Sequence, residues 1–219
     1  MPLFLFIWFL TRRSIQGFSM TGDDTYLSIA SESDGIYKEK GSKFLAFAFP
    51  VNSESDIRQK LDHIKKKYHD ARHHCYAYTL GKDKKIFRAN DDGEPNHSAG
   101  DPILGQIRAK NLSDVLIVVV RYFGGTKLGV GGLINAYKTA AAEALAQNRI
   151  IEKVVVSIII VDFEYGAMND VMKVIKTFDL TILEQDFDLQ CRIKLSVRQK
   201  HLDEVLSQLR NFGTVESLP

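Results

Sequence analysis

Cysteine is scarce in this 219-residue chain, with only Cys75 and Cys191 present. Two cysteines cannot build a disulfide framework, which excludes the small stapled folds of secreted proteins and points to a reducing cytoplasmic compartment. Both lie in strand-like runs and read as buried free thiols. Charge of one sign is also lacking. The formal net charge is +2, far from the basic excess of a dedicated nucleic-acid binder. No apolar run is long enough to cross a bilayer. Residues 2–10 are continuously apolar, well short of the ~20 residues a span requires. Arg12 and Arg13 follow that run instead of preceding it, and no small-residue cleavage site appears, so it does not read as a signal peptide. The expectation is a native start at Met20, with residues 1–19 an upstream extension.

What is present is globular in character. Hydrophobic residues make up 45% and charged residues 26%, enough to build a sizeable core. The length suits two domains of about 100–150 residues. Residues 1–151 carry 21 lysines and arginines against 16 acids, and residues 152–219 carry 8 against 11. Only the first part therefore leans toward an anionic partner.

Residues 35–40 and 42–51 read as two strands, the second nearly all apolar and expected to be central. Ser53 caps a helix whose Ile57, Leu61, Ile64 and Tyr68 recur at helical spacing. Lys65, Lys66 and Lys67 fall at its far end as a solvated terminus. Residues 73–80 alternate as a strand, with a turn at 81–84 into a partner strand through Phe87. A polar loop spans 90–100, and a short helix follows over 102–110 with Asp101 available as its cap. The β-branched run 115–120 reads as a strand buried on both faces. A glycine-rich turn then leads to an alanine-rich helix over 133–148. Beyond a short linker near 149–153 come a strand (154–161) and a helix (165–178) with Met168, Val171, Met172 and Ile175 at helical spacing. Two strands (180–187, 189–197), a helix (199–211) and a last strand (214–218) complete a ferredoxin-like βαββαβ order.

The most informative stretch runs from Arg121 to Gly132. Gly124, Gly125, Gly129, Gly131 and Gly132 lie between a buried strand and a helix start. Helix amino termini attract anions, and Lys127 adds a formal charge. It is not a Walker loop, because Val130-Gly131 stands where Lys-Ser/Thr belongs, nor a dinucleotide fingerprint. The alternative is a tight crossover with Tyr122 and Phe123 in the core. Asp91, Asp92 and Glu94 gather three carboxylates in one loop. They read either as a divalent-cation site or as acids that cap nearby amides and pair with Arg72 or Arg88, and the Ca²⁺-loop pattern is missing. His73, His74 and Cys75 are consecutive on a strand, so they cannot all face one metal. Ser98 lacks a nucleophile elbow. No metal or cofactor is expected.

Four segments together resemble the Impact/YigZ family: Ala71-Arg72-His73-His74-Cys75-Tyr76-Ala77-Tyr78, Asp91-Asp92-Gly93-Glu94-Pro95, Ala99-Gly100-x-Pro102-Ile103-Leu104, and Val119 to Leu133 with its glycines. Gly41-Ser42-Lys43-Phe44 adds to them. One departure is Asn96-His97-Ser98, where the family more often has Ser-Gly-Thr. The resemblance implies an α+β protein of two domains. The first, residues 20–150, would be similar to domain IV of elongation factor G. The second, residues 151–219, would be the ferredoxin-like domain of the YigZ branch, similar to domain V of that factor. It also implies a link to translation, since bacterial members are suspected of binding nucleic acid or ribosomes. The eukaryotic Impact protein is a translational regulator acting through protein partners.

The expected function is a non-enzymatic, translation-linked factor that binds structured RNA or the ribosome. Arg121, Lys127 and the glycine loop would contact phosphate, with Arg72 and Arg88 as neighbours. Two other readings stay open, a protein-binding regulator and a metal-dependent hydrolase using Asp91, Asp92 or Glu94.

Overall fold

The computed structural model describes residues 24–187 and 190–218. The expectation for residues 1–19 and Met20 lies outside the described residues. Strand β1 covers Thr25–Ile29, β2 Ser33–Glu39 and β3 Ser42–Pro50, followed by helix α1, Glu54–Lys67. Then come β4 (His73–Leu80), β5 (Ile86–Asn90), α2 (Gly100–Ala109), β6 (Val115–Tyr122) and α3 (Gly129–Ala146). The remainder is β7 (Ile150–Val154), β8 (Val156–Phe163), α4 (Met168–Thr177), β9 (Thr181–Phe187), β10 (Cys191–Arg198), α5 (Leu202–Leu209) and β11 (Gly213–Leu218).

The first large sheet has the order β2-β3-β6-β4-β5 and is antiparallel throughout. Its middle strand is β6, and β3 is interior beside it. Residues 115–120 are buried on both faces because helices cover both. On one side α1 packs Ile57 and Ile64 against Leu45, Leu116, Val118 and Val120. On the other, α2 and α3 bring Ile103, Ile107, Ala136, Ala140 and Ala144 onto Phe44, Ala46, Ile117 and Val119. Each large aliphatic side chain so buried contributes about 1.5–3 kcal/mol. The Ser53 Oγ accepts from the Asp56 amide at 3.2 Å and fixes where α1 starts.

The second large sheet runs β11-β8-β10-β9, with α4 and α5 packed on a core that includes Ile159, Val161, Ile193 and Leu195. Met172, expected in that core, is exposed, and Val174 is buried in its place. The helix bounds also shorten, since residues 165–167 and 199–201 are 3₁₀ turns. Among the described residues no helix is long and apolar enough to cross a membrane.

A two-stranded ribbon, β1 with β7, takes up the stretch expected to be a bare linker. Just ahead of it Asp24 is 1% exposed and accepts from Arg198 Nε at 3.1 Å and Nη2 at 2.9 Å. The Asp24 carbonyl accepts from the Val155 amide, and the Val155 carbonyl from the Gln199 amide. The start of the described chain is thereby tied to the end of β10. Hydrogen bonds from Arg198 hold the Asp24 carboxyl below its ordinary range, against the opposing effect of burial. A depressed carboxyl contributes stability above its unfolded-state value near ~4, and that contribution disappears as pH falls through the folded value. Asp24→Asn is therefore expected to lose about 1–2 kcal/mol at pH 7, the partly exposed Arg198 keeping the figure low. The gap from wild type should close toward pH 3 in urea denaturation. A gap that does not change with pH would mean the ion pair contributes nothing.

Candidate functional site

The loop between β5 and α2 is wired by its three carboxylates to four separate elements. Asp91 Oδ1 accepts from the amides of Ala99 and Gly100 at 2.9 and 2.8 Å, and Oδ2 from the His97 amide at 2.9 Å. Asp91 therefore serves the open start of α2, whose cap position, Ala99, has no side chain able to do so. The expected cap, Asp101, lies in the first turn and instead meets His97 Nδ1 at 2.6 Å. Burial would raise the Asp91 carboxyl, but the three amide hydrogen bonds outweigh it and hold the group below its ordinary range. Asp92 Oδ2 accepts from the His74 amide on β4 at 2.7 Å. Glu94 Oε1 accepts from Arg121 Nη1 at 2.6 Å and from the Tyr137 hydroxyl at 2.8 Å. Neither Arg72 nor Arg88 is among these partners.

This corrects the cation-site reading of the loop. The three carboxylates point at different groups, and among the described residues no cluster of three acids, histidines or cysteines could share a metal ion. His73 and His74 diverge as well, with His73 Nδ1 donating to the Asp92 carbonyl at 2.8 Å and His74 Nε2 meeting the Tyr68 carbonyl at 3.0 Å. His97 has φ +63°, a left-handed shape that glycine adopts more readily than histidine.

Arg121, the expected phosphate contact, is held within the protein by a carboxylate partner. It is 7% exposed, and its charge is met by the equally buried Glu94. Its guanidinium lies 5.5 Å from the Phe44 ring centroid and 5.7 Å from that of Phe123. The Nε is buried without a partner. An arginine held this way forms the floor of a site and is not a free surface cation.

That floor belongs to a cleft of about 510 Å³, which also gathers Arg72, His73, Phe123 and Lys127. Arg72 precedes β4, and Lys127 lies between β6 and α3. The sheet register that sets His73 opposite Arg121 brings the two cations to one end of the sheet. Both are exposed. The remaining charge there, Asp70, accepts from the Tyr122 hydroxyl at 2.7 Å, a bond that pushes the phenol up to about 12. Phe123 is 57% exposed and Tyr122 half-buried, which corrects the alternative that placed both in the core. Arg88 is elsewhere. It pairs in register with Tyr78, which lies opposite Leu116, so it is five residues down β6 from Arg121 and on the α1 face.

The glycines divide into two kinds. Gly124 is pressed against the β2–β3 turn, and a Cβ on it would lie 1.8 Å from the carbonyl carbon of Gly41. Gly125 is exposed in the loop that carries Lys127. Gly129, Gly131 and Gly132 form the first turn of α3, which begins four residues before the expected start. That turn has no side-chain cap and no acid, so its free amides and the helix dipole favour an anion.

Residues 40–145, which contain the loop, the cleft and nearly all of α3, match the family model described as the Impact N-terminal domain. The IMPACT family member YvyE of Bacillus subtilis is 31% identical over 78% of this chain and 80% of its own length. The chain belongs to the IMPACT family. YigZ of Escherichia coli, another IMPACT family member, is 26% identical over 87% of this chain and 94% of its own. A crystal structure described only as a hypothetical protein superposes with a TM-score of 0.67, at 26% identity, covering 89% of this chain and 97% of that one. In this IMPACT chain the exposed Phe123 and the Glu94–Arg121 pair escaped sequence reading. A lone arginine ending an all-apolar strand was the available signal, since a buried charge requires a partner.

Proposed function

We propose that this IMPACT family chain is a non-enzymatic, translation-linked factor that binds structured RNA, as on the ribosome, through the cleft beside β4 and β6. The observation that carries the reading is the convergence of Arg72 and Lys127 in one cleft. The acid-free, uncapped start of α3 follows directly in the chain. Phosphate contacts of this kind position RNA without reading its sequence. The engagement of Asp91, Asp92 and Glu94 with amides, Arg121 and Tyr137 supports a binding role over a hydrolytic one. In the same reading the chain divides into domains 20–150 and 151–219, the first resembling domain IV of elongation factor G. The sheet order β11-β8-β10-β9 supports a ferredoxin-like second domain.

The test is fluorescence anisotropy with a structured ribosomal RNA fragment across a salt series. Lys127→Ala and Arg72→Ala are each expected to reduce the salt slope by about 1 and to leave the melting temperature unchanged. No binding at low salt would overturn the RNA reading. A protein partner is the second reading, favoured by Ile86 and Phe87, which stand exposed on the edge strand β5. Capture of a protein that survives high salt and is lost in Phe87→Ser would move the weight there.

A further inference from the structure

We propose that the cleft seats one unpaired RNA nucleotide, its base stacked on Phe123 and its phosphate held by Arg72 and Lys127. The inference rests on the RNA reading above and names the chemistry of that site.

A single exposed aromatic is ordinary on a protein surface, but Phe123 is held in place from two directions. Its chain neighbour Gly124 is packed so closely on Gly41 that no side chain fits, and the Gly124 amide donates to Ser42 Oγ at 3.2 Å. The guanidinium of Arg121 lies over the ring at 5.7 Å, and that guanidinium is itself fixed by Glu94 and Phe44. A ring fixed in this way is a stacking platform, and every base has a π-face to offer it. A guanidinium beside it adds cation–π attraction.

The polar groups complete the fit. Arg72 and Lys127 are exposed cations on the same cleft. His73 spends its Nδ1 proton on the Asp92 carbonyl, which leaves Nε2 as the nitrogen free for a ligand. The Arg121 Nε is buried with no acceptor of its own. The cleft, at about 510 Å³, has the size of a small-ligand site, so it takes one nucleotide and not a duplex. Bases paired inside an A-form helix cannot reach such a platform, whereas a bulged or loop base can.

The experiment uses the full chain and two RNA hairpins that differ only in one bulged 2-aminopurine, with binding followed by anisotropy and base fluorescence. AMP alone is a third probe. Wild type is expected to bind the bulged hairpin about tenfold more tightly than the paired one and to raise its 2-aminopurine fluorescence as the base leaves the RNA stack. Phe123→Leu, an exposed substitution checked by its melting temperature, should abolish that preference and the fluorescence rise. Its effect on the paired hairpin should be much smaller than its effect on the bulged one. Lys127→Ala should weaken both hairpins. Equal binding of the two hairpins, indifferent to Phe123→Leu yet weakened by Lys127→Ala, would overturn the base seat and leave the RNA reading standing. Binding of neither hairpin would overturn both. AMP binding as tight as the bulged hairpin and dependent on Phe123 would make the occupant a free nucleotide, overturning RNA as its source.

Discussion

Replacing Glu94 with alanine is expected to cost about 3–5 kcal/mol of unfolding free energy, because it strands a buried guanidinium. Arg121 is 7% exposed and has Glu94 as its ion-pair partner. The Tyr137 hydroxyl, buried in α3, loses its acceptor in the same change. Against a typical total of about 5–15 kcal/mol, such a loss brings the variant close to unfolding. The converse experiment separates stranding from the intrinsic worth of the pair. Glu94→Leu combined with Arg121→Met removes both charges and should recover most of the loss, since a well-packed apolar pair often matches a buried ion pair. Urea denaturation at pH 7 reads both. A loss below about 1 kcal/mol in Glu94→Ala would mean that water reaches Arg121 and screens it as on a surface.

What the sequence made legible follows from which interactions are local. The β-branched run of 115–120 is apolar on both faces and becomes the middle strand β6, because two-sided burial requires an interior position. Ser53 and the spacing of Ile57 and Ile64 define α1, since capping and amphipathic period act within a few residues. The start of α3 was hidden because Gly129, Gly131 and Gly132 have poor helix propensity, and packing of Leu133, Ala136 and Tyr137 on the sheet overrides it. Asp91 was readable as a capping acid but not as the group serving α2, because the amides it meets lie six to nine residues on. The pairing of Glu94 with Arg121, and the meeting of Arg72 with Lys127, depend on the register of β4 against β6. No spacing rule along the chain contains that register.

The glycines of the same segment yield a second large effect, and two of them should respond to the same substitution with opposite signs. Gly124→Ala would set its methyl 1.8 Å from the Gly41 carbonyl carbon and 2.1 Å from the Ser42 nitrogen. Both obstacles are backbone, so no rotamer change relieves them, and the β2–β3 turn must move away from β6. A loss of about 3 kcal/mol is expected, at the upper end for overpacking, read by urea denaturation. Gly131, the third residue of α3, has open space where a methyl would stand, with no atom within 4 Å, and no need of positive φ. Alanine there should stabilise the helix by about 0.5–1 kcal/mol. A glycine that weakens its helix and serves no packing need is explained if a ligand approaches the amides it leaves open. Gly131→Ala should therefore gain stability while binding RNA several-fold more weakly. Were it to gain stability and keep full affinity, the α3 amides would drop out of the interface, and Arg72 and Lys127 would carry the phosphate contacts alone.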